Sequence, residues 1–343
     1  MTANVPASGY VGHDASVLFL SREDVDALLD LDRLIDAVAE AMAELSGGRA
    51  SMPPRTAALV AERDAFLGVM PAFLPGSGVL ASKLVAAFPR NARLGVPTHQ
   101  ALIVVFDPAT GAPVALMDGE HITAMRTAAG SALATRLLAR GDASTLAILG
   151  TGVQARAHGL MVTRVRSFAS ARVAGRDPER AAALAAELSA ATGTAFHAAA
   201  SYEEAVRGAD VVCATTHSPE PVLHRRWLGA GTHVTSVGVN VAGREVDAET
   251  VRDALVVVES RESTLAPAPV GANDVAWPVR DGLLHPEDVV EIGELVGGVR
   301  AGRSSDRQLT LYKSAGVAVQ DAAAAGLVLD EARRRGVGTE LLL

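Results

Sequence analysis

The sequence predicts the α/β class: a doubly wound parallel sheet accompanied by a discontinuous α+β second domain. Three observations predict it. An apolar run, Thr145–Leu149, passes through Gly150-Thr151-Gly152 straight into an Ala-rich, helix-favouring stretch that begins Val153-Gln154-Ala155. Short apolar runs then alternate with helical patterns as far as Glu259, as strands joined by crossover helices do. Finally, a chain of 343 residues, 49% of them hydrophobic, can bury the cores of two domains.

The elements follow in chain order. Val17–Leu20 reads as a strand, and Ser21 opens a helix with Asp24 three residues on as a capping-box partner. The next helix carries Leu34, Ile35, Val38, Ala41, Met42 and Leu45 on one face and stops at Gly47-Gly48. Ala101–Phe106 and Pro113–Met117 flank the loop Asp107–Gly111 as a β-hairpin. Thr123–Leu138 is helical and leads into the alternating half, whose strands are Thr145–Leu149, Ala171–Ala174, Ala195–His197, Val211–Ala214, Val234–Val237 and Ala254–Glu259. The Pro-rich stretch Leu265–Pro278 is expected to be a loop, and Ser314–Arg335 a closing helix whose terminal arginines suit a helix C-terminus.

The glycine turn carries the first chemical signal. It has the pattern G-x-G-x-x-A, with Ala155 where helix and strand pack closely. Such a turn leaves backbone N–H groups free to face a pyrophosphate, the arrangement of a Rossmann unit. The second strand of that unit ends at Gly175-Arg176-Asp177-Pro178. A carboxylate for a ribose 2′-hydroxyl is missing at the usual place, and Arg176 offers a guanidinium matched to a 2′-phosphate. Asp177, before Pro178, reads as the cap of the next helix. These residues favour NADP(H), with NAD(H) as the alternative; the plain reading of Arg176 is a solvated surface charge.

Composition excludes other classes. A net charge of −8 argues against nucleic acid or an anionic membrane surface as partner. No apolar segment is long enough to span a bilayer, and Met1–Ser16 lacks the pattern of a secretory signal. The single cysteine, Cys213, lies in an apolar strand and excludes an internal disulfide, which suits the cytoplasm. The nine histidines, His99, His121 and His158 among them, show no metal-ligand spacing; His121, just before Arg126, is the one to test as an acid or base. No metal is expected.

Three cations stand among apolar or small neighbours ahead of the nucleotide unit: Arg55, Lys83 and Arg126. Taken singly, each is an ordinary snorkelling side chain. Together they make a plausible anion site for an amino or keto acid.

With these pieces stand Met52-Pro-Pro-Arg-Thr56, Ser82-Lys83, Asp118 with Ile122-Thr-Ala-Met-Arg-Thr-Ala-Ala129, Gly150-Thr-Gly-Val-Gln154, Thr215-Thr216, Ser236-Val-Gly238 and Tyr312-Lys-Ser-Ala-Gly316 with Asp321. In this ordered set the chain resembles the ornithine cyclodeaminase/μ-crystallin family over nearly its whole length. The resemblance implies homodimeric enzymes with a substrate-binding and dimerisation domain, here residues 1–130 and 311–343, around a Rossmann domain, residues 131–310. It implies that Arg55 and Arg126 hold a substrate carboxylate, and that Lys83 bonds the carboxylate or the reacting imine or carbonyl. Thr215, Thr216, Val237 and Gly238 would bind the cofactor, Thr216 and Gly238 on its nicotinamide ribose side, Asn240 would bind the substrate, and Ser314, at the start of the last helix, would close the pocket.

Two departures redirect the expectation. Where cyclodeaminases of the family carry carboxylates, this chain has Gly68 and Asn240. Asparagine cannot serve as a base and glycine offers no group, so a diamine's second ammonium loses its partners. Asn240 also reads simply as a turn residue. The expected activity is therefore NADPH-dependent reduction of an imino acid, or the reverse amino acid dehydrogenation. The alternatives are an ornithine- or lysine-type cyclodeaminase that uses NAD(P) catalytically and a nucleotide-dependent binding protein.

Overall fold

Two sheets divide the chain, and a long buried helix runs from the first into the second. The computed structural model describes residues 16–268 and 270–342; the reading of the first fifteen residues as lacking a secretory signal lies outside the described residues. The chain begins β1 (Ser16–Leu20), α1 (Arg22–Leu28), α2 (Leu31–Ser46), β2 (Thr56–Val60), β3 (Ala65–Leu74), β4 (Val79–Ala87), β5 (His99–Phe106), β6 (Pro113–Asp118) and α3 (Gly119–Leu138). It continues with β7 (Thr145–Leu149), α4 (Val153–Val165), β8 (Ser170–Ala174), α5 (Pro178–Thr192), β9 (Phe196–Ala198), α6 (Tyr202–Val206) and β10 (Val211–Ala214). Then come β11 (His233–Ser236), α7 (Ala248–Asp253), β12 (Leu255–Val258), α8 (Arg261–Leu265), α9 (Asn273–Arg280), β13 (Val290–Glu291), α10 (Ile292–Val296) and β14 (Thr310–Lys313). Finally α11 (Ala318–Arg335) and β15 (Thr339–Leu342) return to the first sheet.

The first sheet has seven strands in the order β15-β1-β6-β5-β4-β3-β2, antiparallel except where β1 meets β6. The second has eight strands in the order β13-β12-β14-β11-β10-β7-β8-β9, all parallel. Strand order reverses between β7 and β10, and a crevice opens at the carboxyl ends of strands at such a switch point. The glycine turn after β7 therefore lies at that crevice.

Local chemistry explains the elements. Ser21 and Asp24 form the expected reciprocal cap on α1. The apolar stripe of α2 is buried, Leu34, Ile35, Val38, Ala41 and Met42 each being at most 2% exposed. Fifteen of the twenty residues of α3 are buried, so it is a central helix without a polar face. Small residues let helices approach closely: a Cβ at Gly326 of α11 would sit 2.6 Å from Val79 Cγ2 at the start of β4. That contact seats α11 against the sheet and fixes what its N-terminal turns can reach.

The structure corrects several expectations. β2, β3 and β4 on one side and β1 and β15 on the other extend the anticipated hairpin into a seven-stranded sheet. Helix α3 starts at Gly119 rather than Thr123, because the Asp118 side chain accepts the N–H of His121 and caps it. The stretch Leu265–Pro278 is not wholly loop: α9 runs through it with Pro278 inside. The closing helix starts at Ala318, not Ser314. Residues 310–313 instead form β14, and Gly316, at φ +82°, turns the chain before the helix.

Candidate active site

Lys83 lies on β4 opposite Ile103 of β5, on the sheet face that packs against α3 and α11. At 3% exposed it needs a counter-charge, and Asp321 on α11 provides it at 2.8 Å. The same carboxylate accepts from Arg126 Nε of α3 at 2.9 Å through its other oxygen. Arg126 Nη1 donates to Gln320 Oε1 at 3.1 Å; no hydrogen-bond partner is found for Nη2 among the described residues. Asp321 thus bridges two buried cations on separate elements.

Arg55 arrives from the loop before β2. Its Nη2 donates to the carbonyls of Ala315 and Gly316 at 3.2 and 3.1 Å. A Cβ on Gly316 would lie 3.3 Å from Arg126 Nη2, so this turn touches both guanidinium groups. The turn is held from behind by Glu259, 1% exposed, which accepts from Ser314 Oγ at 2.9 Å and from the N–H groups of Ala315 and Gly316 at 2.9 and 2.6 Å. Arg55 and Arg126 thus meet at one turn, and Lys83 is tied to Arg126 through Asp321.

Electrostatics follow from burial. Desolvation pushes the Lys83 ammonium down to about 8; Asp321 opposes this, and the Arg126 and Arg55 charges add to it. Burial alone would raise the Asp321 carboxyl, but Arg126 and Lys83 outweigh it and hold it below the usual range. The site can offer a carboxylate an unpartnered guanidinium nitrogen, and beside it an ammonium able to give up its proton near neutrality.

The nucleotide side is equally specific. Gly150 has φ +124°, and a Cβ there would meet Thr215 Oγ1 at 2.7 Å. Thr215 donates to the Leu149 carbonyl at 2.8 Å, tying β7 to β10. Gly152 precedes α4 without a side-chain cap, open space lies where its Cβ would be, and Val153 is 68% exposed. Thr151 and Gln154 are half-buried beside them, and Ala155 is fully buried as its small size requires. This is a cradle of free N–H groups at a helix N-terminus, and a dinucleotide fits it. Arg176 is exposed at the end of β8, while Asp177 accepts the N–H groups of Glu179 and Arg180 as the cap of α5. Thr216 and Gly238 follow β10 and β11, and Val237 between them is half-buried.

Other expectations move. Ser314 turns its hydroxyl to Glu259 in a buried turn, three residues before the Val317 cap of α11 rather than at the helix start. Asn240 uses its amide within the loops: Nδ2 donates to the His217 carbonyl at 3.1 Å and Oδ1 accepts the Ala242 N–H at 2.9 Å. Gly68 lies opposite Val85 on β4, where a Cβ would meet Phe66 and Val85 at 3.4 Å. His121 pairs with Asp26 at 3.1 Å, whereas His99 has Lys83 and His217 as neighbours. Sequence reasoning missed the roles of Asp321, Gln320 and Glu259. Asp321 stood in the ordered set that carries the resemblance, as an acid on a helix whose neighbours, Ala322–Ala325, are all small and apolar, but without a role.

The chain is 38% identical over 318 residues to the ketimine reductase mu-crystallin of Mus musculus, covering 91% of this chain and 96% of that protein. Its fold matches the Delta(1)-pyrroline-2-carboxylate reductase of Thermococcus litoralis, solved in complex with NADH and L-proline, with a TM-score of 0.90 and 38% identity over 95% of this chain and 100% of the other. It also matches an archaeal alanine dehydrogenase dimer with bound NAD, with a TM-score of 0.88 and 31% identity over 95% and 99% of the two chains. The family model for ornithine cyclodeaminase/mu-crystallin matches residues 16–336, and the chain belongs to that family.

Proposed function

We propose that this protein is an NADPH-dependent reductase of imino acids, operating in reverse as an amino acid dehydrogenase. The observation that carries the reading is the buried Lys83–Asp321–Arg126 cluster, with Arg55 beside it, in a chain whose parallel sheet ends in a dinucleotide cradle. Relatives that bear the names ketimine reductase and pyrroline-2-carboxylate reductase support it.

The bound cofactor supplies the hydride. Arg126, through its outer nitrogen, and Arg55 orient the substrate carboxylate and so fix the neighbouring imine carbon; orientation of this kind is worth several kcal/mol, roughly 7–11 at its limit. Asp321 keeps Arg126 and Lys83 in place without occupying their outer faces. Lys83, held near pKa 8, gives its proton to the imine nitrogen as the carbon is reduced and takes one back from the ammonium in reverse. Arg176 holds a 2′-phosphate, a role supported by the commitment of Asp177 to the α5 cap. The Gly68 and Asn240 positions argue against cyclodeamination, since neither offers a carboxylate to a second ammonium. A cytoplasmic homodimer completes the proposal. The buried Cys213, whose thiol burial pushes up to about 12, is inert and suits a reducing compartment.

The test is NADPH oxidation by the purified protein with pyrroline-2-carboxylate, piperideine-2-carboxylate, or pyruvate plus methylamine, with NADH in parallel. One of these is expected to turn over, and Arg126→Ala to lower kcat/KM by about 100-fold, the ~3 kcal/mol of a charged hydrogen bond. Ammonia release from ornithine or lysine without net NADPH consumption would overturn the reductase reading. Preference for NADH would remove the role given to Arg176.

A further inference from the structure

Behind the crevice, at the ends of β10 and β11, lies a buried ionic network that the proposed chemistry does not use. Glu245, 1% exposed, faces the ends of β10 and β11. One of its oxygens accepts from the Thr216 N–H and from Thr216 Oγ1 at 2.7 Å. The other accepts from Ser236 Oγ at 2.8 Å and the Gly238 N–H at 3.0 Å. A single carboxylate thereby clamps the two strand ends together with four hydrogen bonds.

Lys313, fully buried at the end of β14, grips the same segment from its other side. Its Nζ donates to Ser236 Oγ at 3.0 Å and to the Gly238 carbonyl, and pairs with Asp274 at 3.1 Å. Asp274 in turn accepts the N–H groups of Glu245 and Val246 at 2.8 and 2.9 Å. Gly238 therefore has its N–H held by a carboxylate and its carbonyl held by an ammonium. It also passes so close to Thr216 that a Cβ would lie 2.1 Å from the Thr216 carbonyl oxygen. Burying charge to hold one peptide is costly unless every partner is in place: Lys313 and Asp274 pair with one another, while Glu245, whose carboxyl is raised above its usual range by burial and by the Asp274 charge, is met by four hydrogen bonds.

We infer that Glu245 is a positioning residue: with Lys313 and Asp274 it fixes Thr216 and Gly238 as the floor on which the nicotinamide end of the cofactor is placed. The inference rests on the dinucleotide reading of the crevice and deepens it. The adenine end is placed by different groups, the Gly150–Gln154 cradle and Arg176, which belong to β7, α4 and β8. Loosening the Glu245 clamp therefore alters hydride-transfer geometry and leaves adenine-side affinity alone.

The test is Glu245→Gln, which keeps the shape but exchanges one acceptor oxygen for a donor facing other donors; Ser236→Ala, which removes a single donor, is the milder companion. Three quantities are measured: affinity for 2′-phospho-ADP-ribose, which lacks nicotinamide; the fluorescence of bound NADPH; and kcat with its isotope effect from NADPH deuterated at the transferred position. In Glu245→Gln, kcat is expected to fall by about 100-fold, as for a misplacement of roughly 1 Å, with a larger isotope effect and altered NADPH fluorescence. Fragment affinity stays within about twofold of the native value, equivalent to roughly 0.4 kcal/mol. Ser236→Ala is expected to show the same pattern in weaker form. The inference is overturned if kcat and fluorescence are unchanged in both variants, or if fragment affinity is lost in step with them. A native protein that binds NADPH but oxidises it with no imino acid refutes the reductase reading separately, and bound-NADPH fluorescence of the two variants still decides the role of Glu245.

Discussion

Lys83 concentrates the chemistry in one ionisable group. Its ammonium is pushed down to about 8 by burial first, with Arg126 and Arg55 adding to the effect and Asp321 opposing it. Reduction needs the protonated form, so kcat/KM for an imino acid is expected to fall as pH rises through about 8, while the reverse oxidation gains. Stability runs the other way. An unfolded lysine titrates near ~10.4, so between about 8 and 10.4 the unfolded chain binds the extra proton and this group makes stability rise with pH. Lys83→Met should abolish turnover and flatten both dependences near 8. A pH–rate profile with no inflection between pH 7 and 9 in the native enzyme would remove Lys83 as the proton donor. The sequence exposes Lys83, Arg126 and Arg55 because a cation among apolar neighbours is conspicuous. It hides Asp321 and Glu259, because an acid on an Ala-rich helix or at a strand end is ordinarily solvated; only the packing of α11 on β4 and of β12 beside β14 shows what they face.

At the scale of elements, the strand–turn–helix after β7 is both the most legible piece and the easiest to test. Gly150 and Gly152 are required for different reasons. Gly150→Ala forces a Cβ into φ +124° and to 2.7 Å from Thr215 Oγ1, a strain of about 1–3 kcal/mol. It should lower the thermal midpoint and weaken dinucleotide binding together. Gly152→Ala meets nothing within 4 Å in the protein, so its thermal midpoint should stay put while dinucleotide affinity falls. Native affinity in Gly152→Ala, read by titration of NADPH, would show that the phosphates do not lie against this turn. Strands such as β7 and β10 were legible because they are short, apolar and bounded by turns. β2, β3 and β4 were not: β3 and β4 carry apolar residues on both faces, which erases the period-2 alternation. The 314–317 turn was hidden for another reason, since its conformation is imposed by Glu259 from a distant strand.

At the scale of the molecule, the two sheets differ in how they are covered. The eight strands of the parallel sheet have crossover helices, but the seven-stranded sheet buries one face against α3 and α11 and leaves the other apolar. On that outer face Leu67 and Leu102 are 46% and 44% exposed, and Val69, Phe73, Leu84 and Val104 between them are half-buried. A contiguous exposed apolar face of this kind marks an interaction surface. It is continuous over β3, β4 and β5, the strand set that carries Lys83 on its opposite side. A second copy docking here would stiffen the sheet under the site without entering it. The expected solution mass is therefore that of a dimer at micromolar concentration, measured by light scattering. Leu84→Glu combined with Leu102→Glu puts four like charges into a symmetric interface and should yield monomers with lower thermal stability. A native protein that runs as a monomer, or a double variant that stays dimeric, would place the subunit contact elsewhere.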